Sequence, residues 1–253
     1  MNPRRLIALT SATAILALAA VASAASSPRA QVIVDDVHHR RIPLAIYQPS
    51  TRAQCTPQAP CPVALLSPGY GVEHTAYRFL AQPLADAGVL VVAVQTVLPD
   101  DPKPADSGNL FADRLPMWQR GADALRLARE RLAPHFPGYD WAHLILIGHS
   151  NGGDLSALAL QQTPALATTL ITLDNRRHPL PRSPALKLLS LRGSDFAADP
   201  GVLPTPEQTA AGHCIVPIAN AKHDDMLDAG PDWLKARIVT LVRVFLGDGR
   251  CPR

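Results

Sequence analysis

The 253-residue sequence lacks most of the features that would mark a repeat, fibrous or nucleic-acid-binding protein. We find no internal repeat, no low-complexity tract and no run of like charges. Neither sign of charge is in large excess, since 24 Lys and Arg face 21 Asp and Glu, so there is no electrostatic case for a nucleic-acid or membrane-surface partner. The 25 prolines are spread through connections rather than gathered into a linker, and a single domain is therefore expected.

The beginning of the chain has the pattern of an export signal. Arg4 and Arg5 precede an apolar stretch over residues 6–21, which ends in the small residues of positions 22–24. The stretch is short for a membrane span and no basic stop-transfer flank follows it. The sequence therefore predicts a cleaved signal peptide over residues 1–24 and a single mature domain over residues 25–253. The mature protein would be periplasmic or secreted, without stable membrane anchoring.

Only four cysteines are present, and all lie beyond the predicted cleavage point. They form neither a C-x-x-C motif nor a Cys/His cluster at zinc spacing, so no metal is implied. An even number of cysteines in an oxidising compartment favours pairing. Cys55 and Cys61 would close a small loop that contains proline. By elimination Cys214 would pair with Cys251, which would tie the C-terminal tail to the segment that leads to His223.

Apolar patterning predicts an α/β protein. Apolar residues alternate over residues 31–48, as expected for an antiparallel pair of strands at a sheet edge. Nearly continuous apolar runs, typical of strands buried on both faces of a parallel sheet, follow at residues 63–66, 89–94, 144–147, 186–191 and 215–218. Helical patterns over residues 76–87 and 118–132 lie between them. This alternation predicts one mostly parallel sheet covered by helices on both faces.

The most informative motif follows the run at residues 144–147. Residues 148–153 read G-H-S-N-G-G, so that a buried strand enters G-x-S-x-G and then a helical segment. This is the pattern of a nucleophile elbow, in which the serine occupies a strained turn and small residues must flank it. Gly148 and Gly152 supply that room. The sequence thus predicts Ser150 as a catalytic nucleophile.

These residues resemble the α/β-hydrolase superfamily over nearly the whole mature chain. Residues 67–70, S-P-G-Y, are similar to a segment of bacterial cutinase-like polyester hydrolases. The G-H-S-x-G-G motif is similar both to those enzymes and to the platelet-activating-factor acetylhydrolases. The resemblance implies a single-domain α/β-hydrolase fold. It also implies an oxyanion hole built from the backbone amides of Tyr70 and Asn151.

In this fold the nucleophile, the acid and the histidine follow one another along the chain. His223 comes just after the last apolar run and is therefore the predicted general base. The acid is open among three aspartates. Asp199 is favoured, because the D-x-x-V pattern after the penultimate strand is frequent in the superfamily. Asp174 lies one strand earlier, where the acetylhydrolase branch has its acid, and Asp195 is nearer a strand end.

Together these features predict an exported serine hydrolase that cleaves carboxylic esters, small or polymeric, through an acyl-enzyme and without a cofactor. The same triad would serve a serine peptidase or amidase, and a catalytically silent binding protein of this fold is the alternative from another class. The longest irregular insertion, residues 98–117, is interpreted either as a rim over the site or as a plain surface loop.

Overall fold

The computed structural model describes residues 27–49, 55–209 and 212–252. The predicted signal peptide lies outside these residues. In the described part of the chain eight strands form one sheet, in the order β1-β2-β4-β3-β5-β6-β7-β8. The strands are β1 Arg29–Asp35, β2 Arg40–Tyr47, β3 Cys61–Ser67, β4 Leu90–Val94, β5 Tyr139–His149, β6 Ala167–Leu173, β7 Lys187–Arg192 and β8 His213–Pro217.

The sheet is mostly parallel. Strand β2 is antiparallel both to β1, at the edge, and to β4, whereas the pairs from β4 through β3 to β8 are all parallel. All five residues of β4 are buried, as a strand covered on both faces requires. Because parallel strands end at the same sheet edge, the segments that follow β3, β5, β6, β7 and β8 converge there.

Helices cover both faces of the sheet. They are α1 Arg78–Asp86, α2 Leu110–Leu132, α3 Asn151–Gln162 and α4 Asp232–Asp248. Buried side chains of α2 and α3, such as Trp118 and Leu155, belong to the apolar core on one face. Those of α1 and α4, such as Leu80 and Phe245, belong to the core on the other. The predicted single-domain α/β-hydrolase fold is confirmed in this arrangement.

Three elements differ from the expectation. Helix α2 begins at Leu110, inside the segment interpreted as an irregular insertion, because the Asn109 side chain caps it by accepting a hydrogen bond from the Ala112 amide at 3.1 Å. The structure also contains strand β6 and helix α4, which the apolar runs and helical patterns of the sequence did not predict. Thr169 and Thr172 interrupt the apolar pattern of β6, although both are buried.

Both predicted cysteine pairs lie at disulfide distance. The sulfur atoms are 2.04 Å apart in Cys55–Cys61 and 2.06 Å apart in Cys214–Cys251. The second pair joins β8 to the segment after α4. None of the helices described is both long and apolar enough to span a bilayer.

Candidate active site

Ser150 lies at the turn between β5 and α3 with φ 50° and ψ −118°, a conformation that is strained for a residue with a side chain. Its amide donates to the Leu173 carbonyl at 2.8 Å, which ties the turn to β6. A Cβ at Gly148 would lie 2.2 Å from the Gly152 carbonyl oxygen, and a Cβ at Gly152 would lie 2.1 Å from the Ser67 carbonyl oxygen. The motif therefore has glycine where neighbouring backbone leaves no space.

His223 begins a short 3-10 helix, His223–Asp225, in the segment after β8. Its Nε2 lies 2.8 Å from the Ser150 hydroxyl, and its Nδ1 lies 2.7 Å from Oδ2 of Asp174. A carboxylate can only accept, so Nδ1 carries the proton and Nε2 is free to accept one from Ser150. The three side chains form one continuous line of hydrogen bonds.

Asp174 follows β6 and is fully buried, with an unusual φ of 53°. Besides the imidazole, its carboxylate accepts from the Gly193 amide at 3.0 Å and pairs with Arg176 at 2.8 Å and with Arg192 at 3.0 Å. Burial by itself opposes ionisation. The hydrogen bond from His223 and the neighbouring guanidinium groups outweigh it and hold the pKa of Asp174 below its usual range.

The sequence favoured Asp199 as the carboxylate beside His223, and the structure does not place it there. Its carboxylate is half exposed and pairs with Arg177 at 3.2 Å, and it does not reach the imidazole. Asp195 accepts from the backbone amide of His223 at 3.1 Å and pairs with Arg176 at 3.3 Å. Asp174, the alternative that the sequence left open, is thus the carboxylate that contacts the His223 ring.

The two amides predicted for the oxyanion hole belong to segments next to Ser150, since Tyr70 lines the same pocket and Asn151 follows Ser150 in the chain. Tyr70 belongs to the segment after β3, and Asn151 is the first residue of α3. Within the described residues neither amide donates to a backbone carbonyl, so both are available. Trp118 donates from its ring nitrogen to the Asn151 side-chain oxygen at 2.8 Å, which fixes this residue from the α2 side.

A buried chain of hydrogen bonds, which no sequence pattern predicts, connects the segments around Ser150. The Gly69 amide donates to the Tyr77 hydroxyl at 2.9 Å, and Tyr77 lies 2.8 Å from Nδ1 of His149. Nε2 of His149 in turn lies 3.1 Å from the His223 carbonyl oxygen. Burial and the neighbouring imidazole of His223 lower the pKa of His149 to about 3, so this ring stays neutral. The variable residue of the motif therefore links the segment after β3 to the His223 backbone.

Ser150 borders a pocket of about 180 Å³. Arg114 of helix α2 lines it, so part of the predicted insertion does border the site. The other lining residues are Gly69, Tyr70, Val72, His149, Ser150, Asp154, Arg176, Arg177, His223 and Asp224. The described residues include no cluster of three or more His, Cys, Asp or Glu side chains that could hold a metal ion.

No protein-family model and no curated protein matches the sequence. Among solved structures, the chain is similar to Thermogutta terrifontis esterase 2 phosphoramylated by tabun, with a TM-score of 0.66 and 18% identity over 90% of this chain and 98% of the esterase. The butyrate-bound form of that esterase gives a TM-score of 0.63 and 18% identity over 87% and 94%. Dienelactone hydrolase from Anabaena variabilis gives 0.61 and 17% over 87% and 98%. These likenesses show the fold.

Proposed function

We propose that the protein is a serine hydrolase that cleaves carboxylic esters, with Ser150 as nucleophile, His223 as general base and Asp174 as the acid that orients the imidazole. The observation that carries the proposal is the line of hydrogen bonds from Ser150 through His223 to Asp174, at 2.8 and 2.7 Å, on a strained turn flanked by glycine. Nucleophile, base and orienting carboxylate in this order constitute the general arrangement of acyl-transfer sites.

In the first half of the reaction, His223 Nε2 takes the Ser150 hydroxyl proton while Oγ attacks the ester carbonyl carbon. The carbonyl oxygen becomes an oxyanion, and the amides of Tyr70 and Asn151 donate to it. The tetrahedral intermediate then expels the alcohol, which takes the proton from His223. Asp174 stays ionised throughout and stabilises the imidazolium. Water then attacks the acyl-enzyme while His223 takes its proton, and the carboxylic acid product is released as His223 returns the proton to Ser150.

The similar proteins support ester chemistry. Thermogutta terrifontis esterase 2 is an esterase by name, and it has been captured with butyrate bound and after phosphorylation by paraoxon. The acid after β6 also favours the acetylhydrolase-like arrangement over the arrangement with the acid after the penultimate strand. We therefore infer esters of short acyl chains as substrates, in agreement with the volume of about 180 Å³ beside Ser150.

We also propose that the protein is exported after removal of residues 1–24. Two cysteine pairs at disulfide distance support an oxidising compartment. Expression of the full chain in a bacterial host and mass spectrometry of the processed protein should give an N-terminus at Ala25. An intact N-terminus together with four free thiols would contradict export.

The catalytic proposal is tested by labelling with a fluorophosphonate and by hydrolysis of p-nitrophenyl acetate. The wild type should be labelled on the peptide that contains Ser150, and Ser150→Ala should lose both labelling and several powers of ten in kcat. Ser183→Ala, which removes an exposed hydroxyl outside the pocket, is the matched control and should behave as the wild type. If Ser150→Ala keeps near-normal turnover, the serine-hydrolase proposal is wrong. Parallel assay of p-nitroacetanilide separates an esterase from an amidase.

A further inference from the structure

Three arginines line the pocket beside Ser150, namely Arg114, Arg176 and Arg177. Three cations around a space of about 180 Å³ are unexpected for a site that would take only neutral esters, because guanidinium groups interact poorly with apolar acyl chains. What each cation already binds decides whether it is available to a substrate.

Two of the three are engaged by carboxylates. Arg176 pairs with Asp174 at 2.8 Å and with Asp195 at 3.3 Å, and it lies over the Phe196 ring at 4.8 Å. Arg177 pairs with the half-exposed Asp199 at 3.2 Å. Arg176 thus helps to hold Asp174 in place. The Arg177–Asp199 pair is exposed and therefore weak, so that a competing anion can displace Asp199.

Arg114 is different. Its guanidinium lies over the Tyr70 ring, 5.4 Å from the ring centroid, and no Asp or Glu of the described residues is within ion-pair distance of it. The carboxylate of the preceding residue, Asp113, faces Ser107, whose amide and hydroxyl donate to it at 2.9 and 2.6 Å, and does not form an ion pair with Arg114. Stacking on Tyr70 holds the guanidinium while leaving its N–H edge free to donate.

Neither of the two aspartates that line the pocket, Asp154 and Asp224, forms an ion pair with Arg114. Asp154 accepts from the Asn175 side chain and from the amides of Arg177 and His178, at 3.4, 3.1 and 2.9 Å. Asp224 is exposed at the rim. Among the described residues that line the pocket, Arg114 is therefore the arginine without a carboxylate partner, and it lies next to the segment that carries the proposed oxyanion donor of Tyr70.

We propose that Arg114 forms a subsite for a carboxylate, and that the preferred substrates are small esters that bear a carboxylate in the acyl or the alcohol part. This inference rests on the proposed function, since it assigns the substrate class of the same site. The planar guanidinium matches a carboxylate with two parallel hydrogen bonds. A pocket below the usual range for drug-sized ligands limits the substrate to a few carbon atoms on that side.

The test compares carboxylate esters with carboxamides of the same shape. For the alcohol side the pair is 4-carboxyphenyl acetate and 4-carbamoylphenyl acetate, and for the acyl side it is the mono-p-nitrophenyl ester of adipic acid and its terminal amide. In the wild type we expect kcat/KM to favour the carboxylate by about tenfold to a hundredfold in at least one pair, the effect of a hydrogen-bonded charge. No preference in either pair overturns the inference.

Arg114→Gln should abolish the preference, and Arg114→Lys should retain part of it. Arg131→Gln is the matched control, because it removes one positive charge from the same helix at a position outside the pocket and should leave the preference intact. If Arg131→Gln reduces the preference as much as Arg114→Gln does, the effect is one of overall charge and the subsite is refuted. If Arg114→Gln lowers kcat/KM equally for the carboxylate and the carboxamide of a pair, Arg114 supports Tyr70 and binds no substrate.

Turnover of p-nitrophenyl acetate tests the proposed function separately from the charge preference. Binding of 4-carboxyphenyl acetate to Ser150→Ala, measured by calorimetry with and without Arg114→Gln, tests the subsite even if no ester is hydrolysed. Weaker binding by about tenfold in the double variant supports the inference, and equal binding overturns it.

Discussion

Replacing Asp174 by Asn tests the part of the site in which sequence and structure differ. The change keeps the shape of the side chain but removes the charge that accepts from Nδ1 of His223 at 2.7 Å. The amide can turn its NH2 towards the ring and thereby stabilise the wrong imidazole tautomer. The cost expected for such a change is about 10⁴-fold in kcat, or roughly 5.5 kcal/mol of transition-state stabilisation.

The surroundings of Asp174 make a smaller effect implausible. The Oδ2 atom that contacts His223 also pairs with Arg176, and Oδ1 pairs with the buried Arg192. Without the carboxylate, two guanidinium charges remain near the ring on which a third positive charge must develop. Repulsion between like charges adds to the loss of the orienting hydrogen bond.

The same contacts predict a loss of stability. Removing one partner of a buried ion pair costs about 3–5 kcal/mol, which corresponds to a decrease of roughly 6–20 °C in Tm for a domain of this size. Kinetics of p-nitrophenyl acetate hydrolysis should therefore be measured well below the Tm of the variant, with circular dichroism as the test of folding. Asp174→Glu keeps the charge and provides a second variant if Asp174→Asn does not fold.

Asp199→Asn is the matched control, because it removes a half-exposed carboxylate that pairs only with Arg177 among the described residues. We expect a change in kcat of less than about threefold, in keeping with the small value of exposed ion pairs. The reasoning is refuted if Asp199→Asn loses four powers of ten while Asp174→Asn remains nearly normal. Equal small effects of both would instead point to a Ser150–His223 dyad.

Three further predictions concern His149, Asp154 and the cysteine pairs. His149→Phe should lower kcat by about tenfold or more with little change in KM, because it breaks the hydrogen bonds of His149 to Tyr77 and to the His223 carbonyl. His149→Gln should recover part of the loss. Equal activity of the wild type and both variants would contradict a positioning role. Burial raises the pKa of Asp154 from 3.8 to about 6, so the folded state binds the proton of this carboxyl group more tightly than the unfolded state does. The contribution of Asp154 to the free energy of unfolding is therefore fully present below about pH 4 and is lost as the pH rises through about 6. Urea unfolding should accordingly show Asp154→Asn gaining up to roughly 3 kcal/mol relative to the wild type between these pH values, and a constant difference would refute the assignment. Replacing Cys214 and Cys251 together by Ser should cost about 4 kcal/mol and replacing Cys55 and Cys61 about 2 kcal/mol, since the closed loops span 37 and 6 residues; calorimetric unfolding in which the shorter loop proves more stabilising would contradict this order.

Much of the fold is encoded locally and could therefore be predicted. Continuous apolar runs identify β3, β4, β5 and β7 because strands buried on both faces need apolar side chains at every position. Strand β6 escaped this rule, since Thr169 and Thr172 are buried there, and the Thr172 hydroxyl donates to Ser190 on β7 at 2.9 Å. A polar residue whose partner lies on another strand cannot be distinguished, in the sequence, from a solvent-facing one.

The candidate nucleophile was also visible in the sequence, because strand, glycine-flanked turn and helix are consecutive around Ser150. The carboxylate that contacts His223 was not. Asp174, Asp195 and Asp199 all follow strands that end at one edge of the sheet, and no local pattern tells which side chain points to the imidazole. The spatial order β6-β7-β8 decides it, because the segment after β8 crosses back over β7 and brings His223 to the end of β6.

The same reason explains what the sequence could not reveal about His149 and Arg114. His149 contacts Tyr77 and the His223 backbone, which are 72 and 74 residues away in the chain. Arg114 reaches the pocket only because α2 begins before the predicted helix and packs beside Tyr70. The sequence by itself predicted most strands of the sheet, the glycine-flanked turn at Ser150 and the cysteine pairs, for which neighbouring residues or simple counting suffice. Tertiary structure alone decided which carboxylate contacts His223, the His149 chain and the charge of the pocket, because each depends on distances between segments that are remote along the chain.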